Sequence, residues 1–270
     1  RLEEAVDAHS RSRDMHQAAG DRRGEAMAWN SLGRVLEQAG RLEEAIDARS
    51  HALDLHQDAD DRLSEAATWN NLGRALRGAG RVEEAIDAHS RSRDIFQAAG
   101  DRRGEAMAWN NLGRALQQAG RLEEAIDAHS HALDLHQDAD HRLSEAATWN
   151  NLGRALRGAG RVEEAIDAYS RSRDIFQAAG DRRGEAMAWN NLGRALQQAG
   201  RVEEAIESWY HVGRTYENLA LAHEDADRPA DARGAYLQSA DAFTRANALA
   251  NATQARNRAA ALDAPSSQDH

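Results

Sequence analysis

The chain has 270 residues, a net charge of -11, no Cys, and 34 basic residues that are all Arg. Without Cys there is no disulfide framework, zinc-thiolate site or cysteine nucleophile, and the acidic balance argues against nucleic acid as a partner. No apolar run approaches the ~18 residues of a membrane helix and Arg1 opens no signal sequence, so the expected setting is cytoplasmic, with no membrane partner and a true start upstream of Arg1.

A 40-residue period organises everything up to about residue 200. Residues 81–120 return as 161–200 with one change, His89 to Tyr169, and W-N-N-L-G-R-A-L recurs at Trp69, Trp109, Trp149 and Trp189, with W-N-S-L-G-R-V-L at Trp29. Such a period reads as a solenoid in which each unit buries its apolar face against its neighbours. Each unit holds two helices. In the first, Trp29, Leu32, Gly33 and Leu36 recur at i, i+3, i+4 and i+7, one stripe of a helix. In the second, Ala45, Ala48, Ala52 and Leu55 form the stripe. Asp21, Asp61, Asp101 and Asp181 are N-caps, with His141 once in that place, and Gly40 suits the turn after a helix. The spacing therefore predicts first helices over 21–39, 61–79, 101–119, 141–159 and 181–199. Second helices follow at 2–18, 42–58, 82–98, 122–138 and 162–178.

Gly33, Gly73, Gly113, Gly153 and Gly193 sit mid-helix despite a cost of ~1 kcal/mol each relative to Ala. The expected reason is a close helix approach against small residues such as Ala45, with the periodic Trp residues as core. Above the 40-residue rhythm, units alternate between R-S-R-D-I-F-Q-A-A-G-D-R-R-G and H-A-L-D-L-H-Q-D-A-D-x-R-L-S, so the duplicated module is 80 residues long.

After residue 200 the rhythm breaks. Trp189 to Trp209 spans half a repeat, and W-Y-H-V-G-R-T-Y follows Glu207-Ser208 without Gly or Pro punctuation, so a second and a first helix are expected to fuse into one helix from 202 to about 226. A turn over Asp225 to Pro229 precedes a second helix with Ala232 and Tyr236, then a polar helix over Asn251 to Leu262. The expected organisation is a repeat array over 1–200 that begins mid-repeat, a divergent capping region over 201–262, and a flexible tail over 263–270.

W-x2-L-G-x2-L followed by A-x3-(bulky)-x2-A resembles the tetratricopeptide repeat, in the long-period variety of kinesin light chains and bacterial signalling proteins. That resemblance implies an all-α, right-handed superhelical solenoid of antiparallel helix pairs. It also implies a non-catalytic scaffold binding a protein or peptide on the concave wall of its first helices, as the arm of a larger bacterial regulator. Self-association, end to end, through the second helix over Leu2 to Ala18, which lacks the first helix that would cover it, is the alternative. The chain departs from the family at the bulky position, which is Arg49, His89 or His129 and becomes aromatic only at Tyr169, Trp209 and Tyr236, so looser, wetter packing is expected at that corner.

Off the packing stripe of the first helices lie Asn30, Asn70, Asn110, Asn150 and Asn190, then Asn71, Asn111, Asn151 and Asn191. Arg34, Arg74, Arg114, Arg154 and Arg194 follow one turn on, and Arg77 and Arg157 farther along. Amides match the N-H and C=O of an extended peptide, and guanidinium forks match carboxylates. The competing reading is that Asn joins neighbouring helices and Arg pairs with residues such as Glu43 and Glu44. No cofactor, metal or catalytic site is expected. His51 and His56, like His131 and His136, are five apart and on different helix faces, the Glu-Glu pairs are exposed neighbours, and the one G-x-G type lies within a helix.

Overall fold

The computed structural model describes residues 2–58, 61–136 and 142–262, and among these it holds thirteen α-helices and no strand. They are α1 (Leu2–Ala19), α2 (Arg22–Gln38), α3 (Leu42–Asp58), α4 (Arg62–Gly78), α5 (Val82–Ala99), α6 (Arg102–Gln118), α7 (Leu122–Leu135), α8 (Arg142–Gly158), α9 (Val162–Ala178), α10 (Arg182–Gln198), α11 (Val202–Asp225), α12 (Pro229–Arg245) and α13 (Leu249–Ala261). The chain divides into two compact units, Arg1–Gln137 with α1 to α7 and Asp138–His270 with α8 to α13. In each unit, successive helices pack on one another as antiparallel pairs, and alternate first helices also touch, α4 on α6 and α8 on α10. The expected change of pattern at residue 201 lies inside the second unit. The cap expected at His141 and the tail expected over 263–270 lie outside the described residues.

The ends of the helices follow from their caps. Asp21, Asp61, Asp101 and Asp181 accept from the backbone N-H of Gly24, Ser64, Gly104 and Gly184, satisfying a donor the helix itself leaves unpaired. At the far end Gly40 takes φ +75°, the Gly40 N-H reaches the Glu37 carbonyl and the Arg41 N-H the Leu36 carbonyl, a double closure that a Cβ would strain. In the divergent region Asp227 and Asn247 occupy that left-handed place at φ 54° and 56°.

The core is built from small residues. Ala45, Ala85, Ala125, Ala165, Ala205 and Ala232 are fully buried, letting the helix pair approach closely. Phe96 lies between Ala66 and Ala108, and Phe176 between Ala146 and Ala188, so one ring of a second helix locks two first helices. In the alternate unit type His56 is buried at the corresponding place, with Ser64 where Phe96 faces Gly104.

The fused helix forms as expected: α11 runs 24 residues without interruption. Its register follows the expectation of Trp209 as the bulky second-helix residue and not the expectation of half a repeat from Trp189 to Trp209. Ser239 Oγ donates to the Gly213 carbonyl across 26 residues, as Ser92 does to Ala66 and Ser172 to Ala146, so Gly213 takes the place of Ala66 and Tyr216 that of Trp69. Trp209 is therefore a second-helix residue, its indole lying against Gly193, and the shortened repeat from Trp189 to Tyr216 is 27 residues rather than 20.

Binding face of the first helices

The mid-helix glycines explain themselves through the bulky position. A Cβ on Gly73 or Gly113 would lie 2.7 Å from His89 or His129, on Gly153 2.7 Å from Tyr169, and on Gly193 2.7 Å from Trp209. On Gly33 it would meet Arg49 Cγ at 2.9 Å and the Ala45 carbonyl at 3.2 Å. The close approach is thus made mainly to this side chain rather than to Ala45. Arg49, His89, His129 and Tyr169 are at most 1% exposed, which overturns the expectation of a loose, wet corner: a polar ring of suitable shape fills the notch as an aromatic does. Arg49 is tolerated there because its guanidinium donates to the Asn71 carbonyl and to Glu37 Oε2 at 2.7 Å.

Burial, with the positive charge of Arg77, Arg114 and Arg74 adding to it, drives the His89 imidazole down to about 3, so it is neutral. In the second unit burial pushes the Tyr169 hydroxyl up to about 12, opposed by Arg157, Arg154 and Arg194. The charges of Arg74, Arg77 and Arg114 thus act on the bulky position in one unit and those of Arg154, Arg157 and Arg194 on its copy in the other. Arg34, Arg154 and Arg194 are exposed and Arg74, Arg77, Arg114 and Arg157 half-buried. Glu43 and Glu44 do not pair with them. Glu44 belongs to Arg41 and Glu43 to Arg81, steps of an exposed ion-pair ladder on the second helices, each worth about 0–1 kcal/mol. Arg74 is tied to Glu37 at 3.3 Å.

The Asn rows separate by burial. Asn70 is 2% exposed, and its Oδ1 sits 3.0 Å from His89 Nδ1 and accepts from Asn111 Nδ2 at 3.1 Å. Asn150 is 3% exposed and accepts from Asn191 Nδ2 at 2.9 Å. Asn30 donates to Thr68 Oγ1 at 2.9 Å, and Asn190 accepts from Arg245 at 2.9 Å. These amides join first helix to first helix, or to α12. For Asn70, Asn111 and Asn150 the burial leaves no face for a peptide backbone: Asn70 and Asn111 close on each other and Asn191 closes on Asn150, each pair 41 residues apart. Asn71, Asn110, Asn151, Asn190 and Asn191 remain half-buried.

The Trp residues are half-buried rather than core. Trp29, Trp109 and Trp189 each lie between an arginine, Arg13, Arg93 or Arg173 at 4.5–4.6 Å, and a stacked histidine, His51, His131 or His211 at 4.5–4.7 Å. Arg91 and Arg171 cover Trp69 and Trp149. His51 and His131 are thus stacking partners, and among the described residues no three His, Asp or Glu side chains gather as a metal site requires. What sequence reading passed over is an apolar component of the face. From α2 to α10 every exposed large apolar residue belongs to a first helix: Met27, Leu63, Met107, Leu143 and Met187. Met27, Met107 and Met187 lie one turn before Asn30, Asn110 and Asn190, Leu63 and Leu143 two turns before Asn70 and Asn150, and the alternation of Met with Leu repeats the 80-residue module. No described helix is long and apolar enough to cross a membrane.

Comparison with known proteins agrees with this architecture. A tetratricopeptide repeat model matches residues 64–138 and 144–208, and a second one matches residues 1–60. No curated protein sequence matches the chain. Among solved structures, BtubC (BKLC) from P. vanneervenii is similar with a TM-score of 0.71 at 21% identity, over 79% of this chain and 90% of that one. A putative kinesin light chain with nearly identical TPR-like repeats from Podospora anserina gives 0.62 at 21% identity, over 72% and 95%. A Rap protein complexed with competence and sporulation factor gives 0.60 at 15% identity, over 89% and 75%. At such identities the likeness is one of fold. Repeats of this kind generally mediate protein-protein interaction and are typically non-catalytic. With the repeat matched over most of its length and the helix pairs formed as that repeat requires, the chain belongs to the tetratricopeptide repeat family.

Proposed function

We propose that the chain is a non-catalytic interaction scaffold that holds an extended acidic segment of a partner protein against the first helices of each unit. The observation that carries this reading is the charge of Arg74, Arg77 and Arg114 acting on one bulky position and that of Arg154, Arg157 and Arg194 acting on its copy. Three positive charges acting on the same position raise the local potential and favour carboxylates, and the exposed Met and Leu residues add apolar surface on the same helices. Asn30, Asn71, Asn110, Asn151, Asn190 and Asn191 keep accessible surface that a peptide backbone could meet. A peptide as ligand class is supported by the Rap protein of like fold, which is complexed with competence and sporulation factor. In this reading the chain serves as the sensor arm of a larger cytoplasmic bacterial regulator. A second reading, end-to-end self-association, is favoured by α1, where Leu2 is 44% and Met15 72% exposed.

The test is fluorescence anisotropy of a labelled acidic probe, the hexapeptide Asp-Ala-Glu-Asp-Ala-Glu, with the whole chain. Affinity is expected to fall with salt, and Arg154→Ala combined with Arg194→Ala to weaken binding about tenfold, in line with two exposed charge pairs of up to ~1 kcal/mol each. Salt-independent binding, or equal affinity of the double variant, would overturn the proposal.

A further inference from the structure

One place in the second unit is set by the shortened repeat. Between α10, α11 and α12 lie two cavities, of about 530 and 250 Å³, that share Met187, Tyr216 and Gln238 and so form one slot along α12. The slot follows from the shortened repeat: with 13 residues missing between Trp189 and the next first-helix aromatic, α12 meets the α10 face, where Arg245 bonds Asn190. Its floor is apolar. Val212 and Ala242 pack beneath Tyr216, and Met187 is 41% exposed above them.

Gly234 gives the second, independent indication. The repeat glycines Gly33, Gly73, Gly113, Gly153 and Gly193 are each filled by a packed side chain 2.7–2.9 Å from where a Cβ would stand, whereas at Gly234, in the interior of α12 and in the slot wall, nothing lies within 4 Å. A helix-interior glycine is destabilising relative to alanine, and here no packing contact compensates. A wall without a side chain admits a ligand backbone at close range.

The lining also selects the ligand. Arg183 and Asp231 flank one end and Arg245 and Asp241 the other, so charge is balanced and neither a terminal carboxylate nor a terminal amine is favoured. Gln238 and the Nδ2 of Asn190, whose Oδ1 is already taken by Arg245, offer amide groups to a peptide backbone. We propose that this slot binds an internal, extended stretch of a partner chain by taking one large apolar side chain between Met187 and Tyr216, with the partner backbone passing over Gly234. This deepens the scaffold reading by naming an apolar anchor site apart from the arginine clusters.

The experiment uses methyl-labelled methionine in the whole chain and NMR titration with Ac-Gly-Ser-Phe-Ser-Gly-NH2 and its Phe→Ala counterpart. The Phe peptide is expected to shift the Met187 methyl saturably while leaving Met107, at the equivalent place on α6, unmoved, and the Ala peptide to bind at least tenfold more weakly. Gly234→Leu should weaken the Phe peptide at least tenfold without lowering Tm, and Gly234→Ala should raise Tm. The proposal is overturned by no saturable shift at Met187, by equal responses of Met107 and Met187, or by unchanged binding in Gly234→Leu. The acidic hexapeptide, read in Gly234→Leu, separates the two readings: its binding persists if only the slot has failed and is lost from wild type itself if the arginine-cluster reading has failed.

Discussion

Replacing His89 by tyrosine transfers into the first unit the one difference that separates residues 81–120 from 161–200. In the unfolded chain a histidine takes up a proton near pH 6.5, while His89 in the folded chain does so only near 3. Above pH 6.5 both states are neutral there and its contribution is constant. As pH falls from 6.5 towards 3 the unfolded chain gains a proton the folded chain refuses, so stability is lost. At pH 5 the loss is about 2 kcal/mol, and since the folded value lies well below 5, that figure depends almost wholly on the unfolded one. Tyr169 shows that the ring fits, standing 2.7 Å from the Gly153 Cβ position as His89 does from that of Gly73. The variant forfeits the 3.0 Å contact of His89 with Asn70, about 1 kcal/mol, at every pH. The two stability profiles are therefore expected to cross near pH 6, wild type the more stable at pH 7.5 and His89→Tyr at pH 5. Native-state hydrogen exchange of α4 and α5 amides reads this locally, which matters in a repeat array whose parts open separately. Tyr169→His should bring the same acid loss to α8 and α9. Profiles that run parallel between pH 7.5 and 5 would refute the reasoning.

Further outcomes follow from the same contacts. Gly193→Ala places a Cβ 2.7 Å from Trp209 Nε1 and is expected to cost about 1–3 kcal/mol in urea unfolding, against the gain of ~1 kcal/mol that alanine gives an open helix. Asp101→Ala removes the acceptor of the Gly104 N-H at 3.0 Å and should cost about 1 kcal/mol, with Asp101→Asn retaining most of it. Arg93→Gln uncovers one face of Trp109 and should lower stability by about 0.5–1 kcal/mol and alter the indole fluorescence.

Much of this molecule was legible in its residues because each local signal agreed with the period. Asp caps, left-handed glycines and the Trp-Leu-Gly-Leu stripe set helix ends within a residue or two except at α7, which ends at Leu135, and the want of Gly or Pro punctuation where Glu207-Ser208 meets Trp209 gave the length of α11. The register of α11 was left double because Trp209 fits both the bulky second-helix position and the first-helix tryptophan; Ser239 reaching Gly213 shows that Tyr216 holds the latter place. The bulky position was misread for a related reason. Whether His89 is wet or dry depends on Gly73, sixteen residues earlier on the facing helix, and not on the histidine itself. The asparagines look alike in sequence, yet Asn70 and Asn150 are sealed by a neighbour 41 residues away while Asn71 and Asn151 are not. The slot under α12 has no sequence signature beyond a lone glycine.

The account assigns buried amides to holding first helices together and exposed guanidinium groups to holding a ligand, and one paired measurement in the second unit tests that division. Asn150→Ala removes the acceptor of Asn191 inside the structure, and Arg194→Ala removes an exposed charge beside Tyr169. Thermal unfolding and titration with the acidic hexapeptide are read on both variants. The expected result is a lowered Tm with unchanged affinity for Asn150→Ala, and an unchanged Tm with affinity reduced up to about fivefold for Arg194→Ala. Lost stability in Arg194→Ala with full affinity, or lost affinity in Asn150→Ala at an unchanged Tm, would contradict it.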